Sequence, residues 1–115
     1  MQYMLLLHLD EKTMQNSTQE ERAQRYAAYT AYTEAMKEAG LWKAGAPLQP
    51  TATATVVRVK NGKSSVLNGP YAEVKEQLGG YYLIDAPDLD SALSWAARCP
   101  AASSGAVEVR PVMAM

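Results

Sequence analysis

Acid–base and anion-holding chemistry has few places to reside in this chain. His8 is the only histidine, and imidazole is the side chain whose ordinary titration lies nearest neutrality, so His8 is the first candidate for a general acid or base. Its other reading is a strand-end histidine hydrogen-bonded to a neighbour. Period-two counting puts His8 on one strand face with Met4 and Leu6. Arg58, Glu108 and Arg110 alternate along their own strand-like segments. If they share a sheet face with His8, the group forms a polar pocket in apolar surroundings, where Arg58 or Arg110 can hold an anion. If not, they are ion-paired edge strands. The run Glu73, Lys75, Glu76, Gln77 is either a solvated face or a flap that brings Lys75 or Glu73 over a ligand. Tyr81 and Tyr82 should point to opposite faces, so only one phenol reaches a cavity.

The remaining residue types exclude more than they offer. Cys99 is the only cysteine, so it cannot form an internal disulfide, and with no histidine near it in sequence it reads as structural. No His/Cys cluster or carboxylate ladder has ligand spacing, so no metal is expected. No glycine loop cradles a phosphate, because Gly79-Gly80 precedes a strand rather than a helix; no cofactor is expected. With 11 basic and 12 acidic residues interspersed, there is no basic stripe for nucleic acid. The longest apolar run falls far short of the roughly 20 residues that span a bilayer. No signal-peptide pattern is read, and the expected location is cytoplasmic.

The elements that must position these residues follow from periodicity. Residues 2–9 form an apolar strand. Ser17 with Glu20 makes a capping box for a helix running to about Ala39 and closed by Gly40, with Tyr29, Tyr32, Met36 and Ala39 as its buried stripe. Leu41 to Ala44 is a short strand. Alternation from Thr51 to Val59, the Asn61-Gly62 turn signal and Ser64 to Leu67 make an inserted hairpin. Asn68-Gly69-Pro70 reads as a turn more readily than as a binding loop. Tyr71 and a short charged helix over Ala72–Leu78 follow, and Gly79-Gly80 then releases the backbone into the apolar strand Tyr81–Ile84. Asp88 caps a helix striped by Leu89, Ala92, Leu93, Ala96 and Ala97 that stops at Cys99-Pro100. A small-residue loop, Ala101 to Gly105, leads to the last strand, Ala106–Val112.

That order predicts one α+β domain over 1–115, a ferredoxin-like split βαβ arrangement with an antiparallel sheet and an inserted hairpin. Two helices cover one sheet face only, yet Met4–Leu7 and Tyr81–Ile84 are apolar on both faces. A four-stranded face spans about 350 Å² in projection, already at the edge of what monomers expose. Its burial is worth roughly 9 kcal/mol at about 25 cal/mol/Å². A homodimer with sheets face to face is therefore expected, with a small-molecule cavity between the sheets.

The stretch Asn68-Gly-Pro-Tyr-Ala-Glu-Val-Lys-Glu-Gln-Leu-Gly-Gly-Tyr-Tyr-Leu-Ile resembles the signature of the DGPF branch of the YCII-related proteins. That signature reads Asp-Gly-Pro-Phe-Ala-Glu-Thr-Lys-Glu-Gln before Gly-Gly and an aromatic strand. Leu48-Gln-Pro-Thr-Ala-Thr, Ala86-Pro-Asp-Leu-Asp, Trp95-Ala-Ala-Arg-Cys-Pro and Val107-Glu-Val-Arg-Pro-Val extend the resemblance over the whole chain. It implies a dimeric α+β barrel. For some members it also implies a histidine–aspartate pair, with the histidine on the first helix, and for a few an action on muconolactone-type ring compounds. Here the helix from Thr18 to Ala39 has no histidine, and Asn68 replaces the aspartate that opens the motif. The resemblance further implies regulation linked to extracytoplasmic-function sigma factors, beside which many relatives are encoded. The function expected is a small-molecule-binding or regulatory accessory domain. The alternative is a cofactor-independent isomerase, lyase or dehalogenase acting on a lactone-like or aromatic-derived compound, with His8 as acid or base.

Overall fold

The strand β1 (Gln2–Leu9) is the spine of the molecule, whose computed structural model describes residues 1–115. It is followed by α1 (Glu11–Gln15), α2 (Gln19–Glu38) and β2 (Trp42–Pro47). The hairpin β3 (Thr55–Lys60) and β4 (Lys63–Asn68) comes next, then β5 (Gln77–Asp85), α3 (Leu89–Arg98), α4 (Pro100–Ser104) and β6 (Ala106–Pro111). The sheet order is β2-β5-β1-β6 with every neighbouring pair antiparallel. This is the expected ferredoxin-like α+β arrangement, with β3 and β4 set apart as a two-stranded sheet.

β1 alternates strictly. Tyr3, Leu5, Leu7 and Leu9 are buried, whereas Met4, Leu6 and His8 are half-buried on the other face. Tyr82 and Ile84 pair with Leu5 and Tyr3 on the first face; Tyr81 and Leu83 pair with Leu6 and Met4 on the second. Tyr32 and Met36 of α2 and Ala92 and Ala96 of α3 complete the core with the first face. The second face has no layer of its own chain upon it, and the molecule is a slab of 47 × 43 × 19 Å.

Several local expectations shift. Thr18 and Glu21, not Ser17 and Glu20, form the capping box of α2: Glu21 N donates to Thr18 Oγ1 (3.1 Å) and Thr18 N to Glu21 Oε1 (3.0 Å). The two box patterns are one residue apart, and Ser17 Oγ is already donating to Met14 O. Ala39 caps that helix from an exposed position, outside its buried stripe. Thr51–Thr53 is a 3₁₀ turn, so β3 starts only at Thr55. The segment 69–76 contains no helix. Gln77 Nε2 donates to Val74 O and its Oε1 accepts from Glu11 N, which pins the bent, non-helical segment that enters β5. Gly79 and Gly80 lie inside β5. There the register slips by one, from Leu7↔Gly80 to His8↔Leu78, so Gly79 is the extra residue of a bulge. Pro100 ends α3 and also opens α4, because proline at the first helical position lacks an N–H that would be unpaired anyway.

Candidate functional site

Residues 22, 25, 26, 29 and 33 recur at helical spacing along one side of α2, so their side chains form a single stripe. That stripe overhangs the β2 edge of the sheet and encloses a cleft of about 450 Å³, a ligand-sized volume. Arg22, Arg25, Tyr26, Tyr29 and Thr33 form one wall, Trp42, Gly45 and Tyr82 the other, and Leu7, Leu9 and Met14 the apolar end. Gly45 is required there by close approach. A Cβ at that position would sit 2.6 Å from the Tyr82 ring.

The aromatic side chains are braced from behind. Tyr32 packs edge-on to Tyr82 at 5.5 Å between ring centres and donates to Trp95 O at 2.7 Å. Tyr82 Oη and Thr33 Oγ1 are 3.3 Å apart. Burial pushes the Tyr29 phenol up to about 12, and burial likewise raises Tyr82. Both therefore stay protonated, as donors, at neutral pH. Arg22 is tied down, donating from Nη2 to Gln15 O at 3.0 Å. Arg25 is half-buried and forms no ion pair or hydrogen bond. The indole Nε1 of Trp42 is buried without a partner. The cleft is thus an aromatic slot in which Arg25 makes no direct ion pair, with Glu34 on the same lining and Glu21 one turn away.

A second cavity, of about 580 Å³, lies around His8, with Leu48, Pro50, Pro70, Tyr71 and Leu78 on its walls. The structure brings His8, Glu108 and Arg110 together on the open sheet face, since Leu6 pairs with Glu108 and Met4 with Arg110. His8 Nε2 is 3.4 Å from Glu108 Oε1, and Arg110 donates to Glu108 Oε2 from both Nε and Nη2. The Arg110 guanidinium, with a smaller contribution from His8, holds the Glu108 carboxyl below the usual carboxylate range. Gly105 sets this corner, because a Cβ there would overlap the His8 carbonyl oxygen. No three His, Cys, Asp or Glu side chains converge as a metal site would require.

The other expected site residues disperse. Arg58 is not part of the polar group on the sheet face: it lies on the separate hairpin, its guanidinium 5.4 Å from the Tyr71 ring. Lys75 is exposed and borders neither cavity, although Val74 and Gln77 on either side of it line the second. Tyr81 and Tyr82 do face opposite sides, yet both border the first cleft, which runs out along the β2–β5 ladder at Ala46 and Pro47. The turn at Asn68-Gly69-Pro70 rests on a positive φ (114°) at Gly69, whose N–H donates to Ala54 O at 2.7 Å. Signature residues serve both cavities: Pro70 and Tyr71 line the second, Gly79 and Gly80 the first. Arg22, Arg25 and Tyr26 escaped the sequence reading. Their three-and-four spacing beside Tyr29 was the available signal, hidden because the stripe of Tyr32 and Met36 accounted for the helix.

The model of the YCII-related domain matches residues 1–115. This chain belongs to the YCII-related family. The YCII-related chain is 39% identical over 114 residues to an uncharacterised protein of Rhizobium meliloti (strain 1021), a match covering 97% of this chain and 92% of that protein. Among solved structures it resembles the 5-chloro-2-hydroxyhydroquinone dehydrochlorinase of Burkholderia phenoliruptrix AC1100, in complex with 2,5-dihydroxybenzoquinone. The TM-score is 0.57 at 18% identity, over 98% of this chain and 94% of that one. The likeness is one of fold. No helix of the YCII-related chain is long and apolar enough to cross a membrane.

Proposed function

We propose that this YCII-related protein, of the DGPF branch, is a homodimeric, cytoplasmic small-molecule-binding domain whose ligand is a planar ring bearing acidic oxygens. The observation that carries this reading is the unpaired, half-buried Arg25 on the wall of an aromatic cleft of about 450 Å³. Such a guanidinium is partly withdrawn from water and makes no direct ion pair, although the Glu21 carboxyl one turn earlier feels its charge, so a ligand anion gains more there than at the open surface. Tyr29 and Tyr82 offer protonated phenols on the same lining. The ring bound by the solved structural relative, 2,5-dihydroxybenzoquinone, has the same chemistry. A regulatory role, in which ligand occupancy is reported to a protein partner, fits this reading. The dimer is supported by an apolar sheet face left uncovered and by a radius of gyration of 16.0 Å, against about 13 Å for a compact chain of this length.

Titration calorimetry with 2,5-dihydroxybenzoquinone tests the cleft. Wild type should bind it, Arg25→Gln should bind about ten-fold more weakly or worse, since a charged hydrogen bond is worth about 1.5–3 kcal/mol, and His8→Ala should bind unchanged. Equal affinity of wild type and Arg25→Gln, or no binding across a panel of hydroxyquinones, phenolic acids and lactones, removes the proposal. A second reading, a cofactor-independent enzyme, is favoured by the 3.4 Å approach of His8 to Glu108 beside the second cavity. Turnover of any such compound that survives His8→Ala unchanged would end it.

A further inference from the structure

The hairpin β3–β4 is the part of the chain least explained by its own fold. It is a two-stranded sheet with no ladder to the main sheet, and hairpins of that kind are marginal in water on their own. Its turn is sound: Asn61 and Gly62 have φ of 52° and 76°, as a tight hairpin turn requires. Strict pairing of Val57 with Val66 and of Val59 with Ser64 then puts three valines on one face. Val57, Val59 and Val66 are 60%, 69% and 64% exposed. The reverse face carries Arg58, which lies over Tyr71 of the signature segment, and half-buried Val56. Only Val56 and the Arg58–Tyr71 contact tie the reverse face to its own body, since Leu67 on that face is 69% exposed, and the valine face has no such tie.

We propose that this hairpin is an arm acting in trans, its Val57/Val59/Val66 face packing on a second copy of the chain, so that two reciprocal arms clasp the face-to-face dimer. The inference rests on the homodimer reading above and adds the element that closes it. Area argues for a second copy as the occupant. The main sheet's open face offers only about 350 Å² in projection, whereas a stable interface takes about 800 Å² from each partner. Two strands of six residues give a face of about 200 Å². Under two-fold symmetry each copy both donates such a face and receives one, which brings the buried surface close to the required size. The valine face itself carries no charge: Arg58, Lys60 and Lys63, the bases of residues 55–68, all lie on the reverse face.

The test is sedimentation of the full chain over a concentration series, for wild type and for the triple variant Val57→Thr/Val59→Thr/Val66→Thr. Threonine keeps β-branching, so the strands are retained while the apolar face is lost. Hydrogen exchange of 55–68 is read in parallel. The expected result is a wild-type dimer whose hairpin amides lose protection on dilution, and a variant that dissociates at least ten-fold more readily with unchanged far-ultraviolet circular dichroism. A wild-type dimer and a variant with the same dissociation constant would overturn the arm and leave the homodimer standing. A wild type that is monomeric throughout would overturn both. Hairpin protection that is independent of concentration would mean the arm lies on its own body, which also overturns it.

Discussion

The two faces of the main sheet are built from the same strands and have opposite fates. On one, Leu5 and Ile84 are fully buried beneath α2 and α3; on the other, Leu6 and Leu83, each one residue away, stay half-open to solvent. Strand alternation makes the two faces nearly equal in composition, so hydrophobicity does not decide which is covered. The crossover does: both long helices pack on the same side, and 115 residues supply no third layer. The difference teaches where to look for function. The covered face is where α2 stands off the sheet edge and leaves an aromatic cleft, while the open face carries the single histidine.

Truncating one leucine on each face should separate the two energetically. Leu5→Ala should cost about 2–5 kcal/mol of unfolding free energy, seen as a lower denaturant midpoint at every protein concentration. Leu6→Ala should instead reduce mainly the concentration-dependent part of stability. Equal, concentration-independent losses would mean that the faces are not energetically distinct. An intermediate effect is expected at alkaline pH. Tyr29 has a folded value near 12 against an ordinary 10, so its contribution is complete below pH 10 and is lost as pH rises toward 12. Tyr82 shifts in the same direction. Alkaline unfolding followed by tyrosinate absorbance should therefore be steep in that window, and Tyr29→Phe should flatten it; an unchanged profile would place the titration elsewhere. The smallest effect belongs to the open face. The Glu108 carboxyl is depressed, so its contribution is present above the ordinary carboxylate value of 4.5 and fades as pH falls below it. Glu108→Gln should remove only that shallow acid limb, because the pair with Arg110 is exposed and screened. A large loss at neutral pH would show that the pair is buried by a partner.

Much of the architecture was legible because it rests on local rules. The apolar strand over residues 2–9, Gly40 as a helix stop, Asn61-Gly62 as a turn and Asp88 as a cap each act over a few residues, and each is found in place. The signature segment was misread over Ala72–Leu78 because its charged residues favour a helix locally, while Gln77 is held by Glu11, 66 residues away in sequence. The site was legible only in fragments. Counting put Glu108 with Arg110 on one face of the last strand and His8 on one face of the first, but it left open whether those faces coincide and could not reveal that Arg58 belongs to a separate sheet. Nor could it show that the Arg22–Tyr29 stripe borders a void.

The amino-acid sequence alone determined the order of elements, the period of each strand and the surplus of apolar β-surface, since these depend on neighbours within about one helical turn or one pleat. Only the tertiary structure decided which face the helices took, where α2 parts from the sheet and that the hairpin stands free. Those outcomes depend on how whole elements fill space against one another, and packing between distant residues leaves no periodic trace in the chain.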